Sequence, residues 1–422
     1  MKQRILALML AGTLSLSLMS TGALAAEGEA PAKPEDNPAA EEYIPDPVGS
    51  ISFANVGWRM RENNLQIKAL QESICMLEEI DYDQLKEEMR EQLNELAKAQ
   101  WSLVLASDYM SDYEYHSAYD QLDLAYDAIR DQFEAIKDGD MQEDNADTMR
   151  QLKNLQNQIV MAGEATYIAL AAMDLQEDGL ERQLAALDRQ LTELDLRYEL
   201  GQISSMTLKQ AKAGRTALSS GLSTLRMNLE AYRGQFELLL GADITGTLSL
   251  GALPKVAQEE LDAMDLEKDL ESAMANSWDI YQATETMEEE LKTYNGHGGE
   301  AGANLPGIGG SDSYKQARHN WYTAKYTYDN TIQSFELGLR KLYLKVMDYK
   351  QILDAAQTAL AVEQDNYAAA QLKQSQGKLS QNGLLEAEDK VKEAKEKVAG
   401  AENDLFSAYN TYRWAVDYGI MN

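Results

Sequence analysis

The sequence predicts an all-α protein made of long antiparallel coiled-coil helical hairpins in two tandem repeats. Three observations point to this fold. Proline is absent from two long stretches rich in helix-forming residues, 48–253 and 307–422, and it occurs only at positions 31, 34, 38, 45, 47, 254 and 306. Apolar residues recur every seven positions, and the two halves of the chain resemble each other at an offset of 176 residues.

The first 25 residues have the pattern of a signal peptide. Lys2 and Arg4 form a short basic region, residues 5–19 are largely apolar, and Ala23-Leu24-Ala25 supplies the small–x–small site of signal peptidase. An uncleaved N-terminal anchor is the alternative. Residues 26–50, rich in Pro, Glu and Ala, are predicted to form an extended tether. We therefore predict an exported protein, secreted or held in the cell envelope, whose mature chain has no membrane-spanning segment.

Composition excludes several classes of partner. The chain carries 70 Asp and Glu against 38 Lys and Arg, a net charge of -32, which argues against binding to nucleic acid or to anionic membranes. Cys75 is the only cysteine, so that the chain has no internal disulfide. We expect Cys75 to lie on a buried helix face.

The first helical repeat is expected over residues 51–241. Its insert, residues 81–142, is helical in character, because Leu85, Met89, Leu93 and Leu96 share one face. The helix that follows the turn near residue 201 has apolar residues at the a and d positions of five heptads, interrupted only by Arg215. The series is Leu208, Ala211, Arg215, Leu218, Leu222, Leu225, Leu229, Tyr232, Phe236 and Leu239.

A linker over 242–258 leads to the second repeat, 259–422. This repeat has a Gly-rich loop at 295–311 and a continuous helix from about 312 to 376, which would be roughly 95 Å long at about 1.5 Å per residue. Both of its long helices carry heptads. The series are Leu339, Leu342, Val346, Tyr349, Leu353, Ala356 and Leu360, then Leu384, Ala387, Val391, Ala394, Val398, Ala401, Leu405, Ala408, Tyr412 and Ala415. A strict heptad indicates left-handed coiled-coil packing, in a closed tube or in a plain two-helix coil.

Two turn motifs carry a resemblance to a known family. The segment 198–208, with sequence YELGQISSMTL, resembles the YxxGxxSxxxL signature of the TolC-like outer-membrane efflux proteins, and 372–384 is a weaker copy. The similarity covers roughly residues 150–420 and, weakly, 51–80. The chain is identified as a divergent member of that family.

The resemblance implies a fold from which this chain departs. In the family, three two-repeat chains build a twelve-helix α-barrel that continues into a twelve-stranded β-barrel, and each repeat inserts two strands between its helices. Here the corresponding positions are the Gly-rich loop 295–311 and the helical insert 81–142. Neither shows the alternating strands of about 9–11 residues that a membrane hairpin needs. We therefore expect the β-barrel strands to be absent.

The resemblance also implies a function. It indicates a homotrimeric conduit in a tripartite efflux or secretion system, docked on a membrane-fusion adaptor of an ABC or RND pump. The residues matching the family's docking turns are Gly201, Gln202, Ile203, Ser204, Gly377, Lys378, Leu379 and Ser380. We expect the two glycines at positive φ, the two serines as helix caps, and Ile203 and Leu379 as exposed apolar residues. The alternative is a secreted, non-conducting coiled-coil scaffold.

No pattern of residues predicts an enzyme, a metal site or a cofactor. His116, His297 and His319 lack the spacing of a zinc site, and the glycines of 296–310 are not followed by the Lys of a phosphate loop. The many tyrosines, such as Tyr109 and Tyr113, are interpreted as fillers of wide grooves between helices.

Overall fold

The fold is described from a computed structural model, which covers residues 46–305 and 307–421. The predicted signal peptide (1–25) and most of the predicted tether lie outside the described residues. The all-α prediction is confirmed, because the described residues form twelve α-helices, two 3-10 turns and only two strands of two residues each.

The first repeat contains one strand and six helices. They are β1 (Ser50–Ile51), α1 (Val56–Asn63), α2 (Leu65–Glu78), α3 (Tyr82–Ala106), α4 (Asp112–Asp138), α5 (Asp140–Glu199) and α6 (Ser205–Leu239). The predicted helical insert 81–142 corresponds to the hairpin of α3 and α4, joined through a 3-10 turn at Ser107–Tyr109. Cys75, on α2, is half-buried and free, so it does not lie on a fully buried face.

The linker contains one strand, β2 (Ser249–Leu250), and six helices follow it. They are α7 (Gln258–Asp262), α8 (Leu266–Asn276), α9 (Trp278–Gly296), α10 (Gly299–Gly302), α11 (Asp312–Ser375) and α12 (Gln381–Tyr418). The predicted helix at 312–376 is α11. The Gly-rich segment 295–311, predicted as a loop, includes α10, and the Tyr314 hydroxyl donates a hydrogen bond of 3.0 Å to the carbonyl of Gly299.

The heptad residues form the packed seams of α5 with α6 and of α11 with α12. Leu208, Leu222, Leu229 and Phe236 are buried on α6, and seven a/d residues are buried along α12. Tyr232 is an exception, because its side chain is 47% exposed. The break at Arg215 is accommodated by an ion pair, in which its Nε donates to Asp188 Oδ1 at 2.6 Å.

A buried core joins the start of the first repeat to the linker between the repeats. β1 and β2 pair in parallel, Ser50 with Ser249 and Ile51 with Leu250. The Tyr167 hydroxyl lies between the carbonyls of Ile51 and Gly251, at 3.2 and 2.7 Å, and burial raises its pKa to about 12. This core holds the linker on the long helix α5.

Polar contacts join the two repeats along α5 and α12. The Glu164 carboxylate accepts hydrogen bonds from Asn410 Nδ2 at 2.9 Å and from Trp414 Nε1 at 2.6 Å, and burial raises its pKa. Farther along, the guanidinium of Arg182 donates to both carboxylate oxygens of Glu396, at 2.7 and 2.8 Å. These paired polar groups add to apolar contacts between the repeats, in which Trp414 packs into the core of the first repeat and the ring of Phe406 lies 4.8 Å from that of Phe53.

The linker after α6 wraps around the carboxylate of Glu237. This side chain is 2% exposed and accepts hydrogen bonds from the backbone N–H groups of Thr245, Gly246, Thr247 and Leu248, at 2.5, 2.7, 3.2 and 3.1 Å. The Thr245 hydroxyl donates a further bond at 2.8 Å. Burial alone would raise the pKa of Glu237, but the hydrogen bonds, led by that from Gly246, outweigh it and lower the pKa.

Candidate docking turns

The first turn ends α5 through a left-handed glycine. Gly201 has φ +71°, and its N–H donates to the carbonyl of Tyr198 at 2.9 Å. The N–H of Gln202 reaches back to the carbonyl of Arg197 at 2.8 Å. These two bonds satisfy carbonyls at the end of the helix that would otherwise lack partners.

The second turn repeats this geometry at the end of α11. Gly377 also has φ +71°, and its N–H donates to the carbonyl of Gln374 at 2.9 Å. The N–H of Lys378 donates to the carbonyl of Lys373, also at 2.9 Å. Positive φ was expected at both glycines, and the structure has it at both.

A serine begins the departing helix after each turn. Ser204 Oγ accepts a hydrogen bond from the N–H of Thr207 at 3.1 Å, and Ser380 Oγ accepts one from the N–H of Gly383, also at 3.1 Å. Each hydroxyl satisfies one of the unpaired N–H groups in the first turn of its helix, as expected from the sequence. The two turns are therefore closely matched in glycine, helix end and cap.

The exposed apolar side chains at the turns differ from those expected. Ile203 and Leu379 are half-buried, and the Leu379 side chain lies so close to Gly383 that an added Cβ there would be 2.7 Å from its Cδ1. At the first turn the most exposed apolar residues are instead Leu200 and Met206, 63% and 64% exposed, and at the second turn Leu372 is 61% exposed. The heptad series of α6 could have identified Met206, because this residue lies off the seam that begins at Leu208.

Both turns lie at the same end of the paired repeats. Asn382, in the first turn of α12, donates a hydrogen bond of 3.2 Å to Glu193, which is close to the end of α5. One helical turn or two farther from the tips, Arg189 pairs with Asp389. Gly201, Gln202, Ser204, Gly377, Lys378 and Ser380 are all exposed. The eight predicted docking residues thus lie in two neighbouring, solvent-accessible turns.

The described part of the chain lacks both metal-binding clusters and membrane-spanning helices. Residues 46–305 and 307–421 contain no group of His, Cys, Asp or Glu side chains arranged to hold a metal ion. Within the same residues, no helix combines the length and the apolar character needed to cross a bilayer.

Substitution of the turn glycines should destabilise the protein modestly. We expect Gly201→Ala and Gly377→Ala each to lower the free energy of unfolding by about 1 kcal/mol, because a side chain is disfavoured at positive φ. No atom lies within 4 Å of the position that either Cβ would take, so no clash should add to this cost.

The matched control is Gly214→Ala, in the middle of α6, where the added Cβ would also meet no atom within 4 Å. Because Gly214 is helical, this change should instead stabilise the protein by about 0.5–1 kcal/mol. Urea denaturation followed by circular dichroism measures all three variants. A stabilised Gly201→Ala or Gly377→Ala variant would contradict the left-handed geometry.

The helical fold is similar to that of several solved channel proteins. No family model matches the sequence, and no curated protein matches it either. The outer-membrane channel OprN is 13% identical and superposes with a TM-score of 0.54, over 87% of this chain and 90% of that one. The outer-membrane channel CmeC of Campylobacter jejuni is 15% identical, with a TM-score of 0.51 over 69% of this chain and 68% of the other.

A third similar structure is that of CusC, a protein whose crystal structures concern the conformational changes that accompany folding and transmembrane channel formation. It is 12% identical to this chain, with a TM-score of 0.51 over 86% of this chain and 91% of its own. The matches therefore extend over both repeats. The chain has the helical fold of TolC-like outer-membrane channel proteins, as the turn motifs predicted.

Proposed function

We propose that this chain is a TolC-like component of a tripartite efflux or secretion system. In this proposal it forms an α-helical conduit that docks on the membrane-fusion adaptor of an ABC or RND pump. The observation that carries the proposal is the pair of matched turns, in which Gly201 and Gly377 share the same φ of +71° and Ser204 and Ser380 the same cap. Two similar turns at the same end of the paired repeats are suited to a partner that binds the ends of helical hairpins.

The exposed sides of the long helices support a closed homotrimer. On α11, apolar side chains at Leu337, Leu344 and Val362 are 54%, 64% and 53% exposed, and on α6 Met227 is 63% exposed. Apolar residues along a long helix are normally covered. Neighbouring copies in a ring of three would cover them, and such a ring would surround a conduit.

The site of action in this proposal is the cell envelope, reached through the predicted signal peptide, and no enzymatic role is assigned. A second candidate is a non-conducting coiled-coil scaffold of the envelope. The α3–α4 hairpin favours it, because this helical hairpin lies at the position where the resemblance implies membrane strands.

Size-exclusion chromatography with light scattering tests the proposal on the mature protein, alone and mixed with a membrane-fusion adaptor from the same organism. The conduit requires a mass of three chains and a further increase when the adaptor is added. A monomeric mass that does not increase when the adaptor is added would favour the non-conducting scaffold.

Docking through the turns is tested in the same experiment by Leu200→Asp combined with Met206→Asp. This variant should keep the trimer mass and lose adaptor binding at least tenfold, because two exposed apolar side chains at the tip become charged. Leu124→Asp, at a residue 72% exposed on α4, is the matched control and should bind normally. Normal binding by the double variant would overturn docking at the first turn.

A further inference from the structure

The α3–α4 hairpin is a two-helix coiled coil with no third layer over most of its length. In α3 no residue is fully buried, and in α4 only Ile136, in the last turn, is buried. Apolar residues of the two helices meet along a shared seam and are half-buried there, including Leu93 on α3 and Leu122 on α4. At 25 and 27 residues, the helices are about 37 and 40 Å long at about 1.5 Å per residue.

The turn at the end of this hairpin is well defined by hydrogen bonds. The Ser107 hydroxyl donates to the carbonyl of Val104 at 2.8 Å, and the N–H of Met110 donates to the carbonyl of Ser107 at 3.2 Å. Ser111 and Glu114 form a capping box that begins α4, with the Ser111 hydroxyl donating to Glu114 at 2.7 Å. The turn therefore presents its neighbouring side chains in a fixed arrangement.

Those side chains are mostly large, apolar and exposed. Residues 82–138 contain seven exposed large hydrophobic side chains, and six of the seven lie between 101 and 113. We call these six the hairpin tip: Trp101, Val104, Leu105, Tyr109, Met110 and Tyr113. Tyr109 is 92% exposed and Tyr113 83% exposed, contrary to the interpretation of these tyrosines as groove fillers. The seventh, Leu124, is isolated on the stem of the hairpin.

The charge of the hairpin argues against lateral packing with other copies. Residues 81–138 contain 15 Asp and Glu but only five Lys and Arg, a net charge of -10 with His116 neutral. No Lys or Arg occurs from 99 to 129. Stems related by symmetry would place like charges side by side, and their outward faces offer no apolar stripe to offset this repulsion. Contact through the tip is therefore end-on.

The small end face of the hairpin argues against a stable end-on protein interface. Two helices side by side, each about 10 Å across, have an end-on footprint of roughly 200 Å². A standard protein interface buries about 800 Å² on each partner. A fluid lipid surface, in contrast, can surround a convex tip, so that all six side chains lose contact with water together. Trp and Tyr suit such a boundary because each ring has an apolar body and a polar group.

We propose that the hairpin tip inserts into the surface of an uncharged, zwitterionic lipid layer. Trp101, Leu105 and Tyr109 enter the boundary between headgroups and acyl chains, and the acidic stem stays in water. The negative charge of the stem makes an anionic surface unfavourable. This inference goes beyond the proposed conduit function. The hairpin is joined to the start of α5, at residue 140, whereas the first docking turn follows the other end of that helix, about 90 Å away along its axis.

Flotation of the full mature protein with vesicles tests the proposal. The probes are vesicles of phosphatidylcholine alone and vesicles with one third phosphatidylglycerol. The wild type should float with the first and bind the second several-fold less. Trp101→Ala, Leu105→Ala and Tyr109→Ala combined should reduce binding to phosphatidylcholine at least tenfold. All three residues are exposed, and alanine favours the helix at Trp101 and Leu105 in α3, so helicity should be unchanged.

Leu105→Ala and Leu124→Ala form a matched pair, since these leucines are 66% and 72% exposed on the same hairpin. Only Leu105→Ala should weaken flotation. A wild type that stays unbound, or a triple variant that floats normally, would overturn the proposal. So would a triple variant that loses mass in the absence of vesicles, because the tip would then join copies of the chain. Adaptor binding does not enter this experiment, so that its failure and that of the conduit proposal remain distinguishable.

Discussion

Leu229→Asp is expected to lower the free energy of unfolding by at least about 4 kcal/mol, because it removes a buried leucine and introduces a buried, unpaired charge. Leu229 is 2% exposed and belongs to the same core cluster as Tyr167 and Phe236. Arg233, one helical turn farther along the same helix, is already paired with Asp174, to which it donates at 2.6 Å. Urea denaturation, followed by helical circular dichroism, gives the difference directly.

Leu238→Asp is the control for this prediction. It makes the same chemical change on the same helix, but Leu238 is 59% exposed, so its carboxylate can remain hydrated. We expect a change within about 0.5 kcal/mol of the wild type, as is usual at surface positions. Similar losses in the two variants would mean that the heptad seam of α6 has been assigned to the wrong face.

Glu237→Gln should cost about 2–4 kcal/mol, because a buried carboxylate that accepts five hydrogen bonds becomes an amide that can satisfy fewer of them. The amide nitrogen of glutamine is a donor, and it would face backbone N–H groups such as those of Thr245 and Gly246. The linker should loosen around α6, and thermal or urea denaturation at pH 7 measures the loss. A variant as stable as the wild type would contradict a stabilising role for this carboxylate.

Wild type and Glu237→Gln should also differ in how their stability depends on pH. The folded state lowers the pKa of Glu237 below its ordinary value of 4.5. The carboxylate therefore contributes stability that is fully present above pH 4.5 and is lost as the pH falls through the lowered pKa. The difference in stability between wild type and Glu237→Gln should be constant near neutral pH and shrink in acid. A difference that grew in acid would show the opposite shift.

The long helices were predictable because their determinants are local and repeated. A heptad repeat can be recognised from the spacing of apolar residues alone, and Leu208, Leu222 and Leu229 are buried on α6 as that spacing predicts. The turns were predictable for a similar reason, since Gly201 and Ser204 act on backbone groups within a few residues. Features that depend on local hydrogen bonds or on a regular spacing of residues can therefore be recognised in a single sequence.

The features that the sequence did not disclose depend on contacts between distant segments. From the sequence, Glu164 cannot be distinguished from the many solvent-exposed acidic residues on the long helices. Its hydrogen bonds with Asn410 and Trp414 are seen only in the structure. The partners of Glu237 are close in sequence, but the path of the linker had to be known before its N–H groups could be seen to converge. At the first docking turn, the exposure of Leu200 depended on how the two helix ends meet.

The pairing of β1 with β2 has a mechanical consequence. The chain enters the first repeat and leaves it at the same place, because Ser50 and Ser249 are strand partners and the Tyr167 hydroxyl contacts carbonyls on both sides. A pulling force on the chain upstream of Asp46 would therefore be transmitted at the junction between the repeats, to the linker through β1 and to α5 through Tyr167.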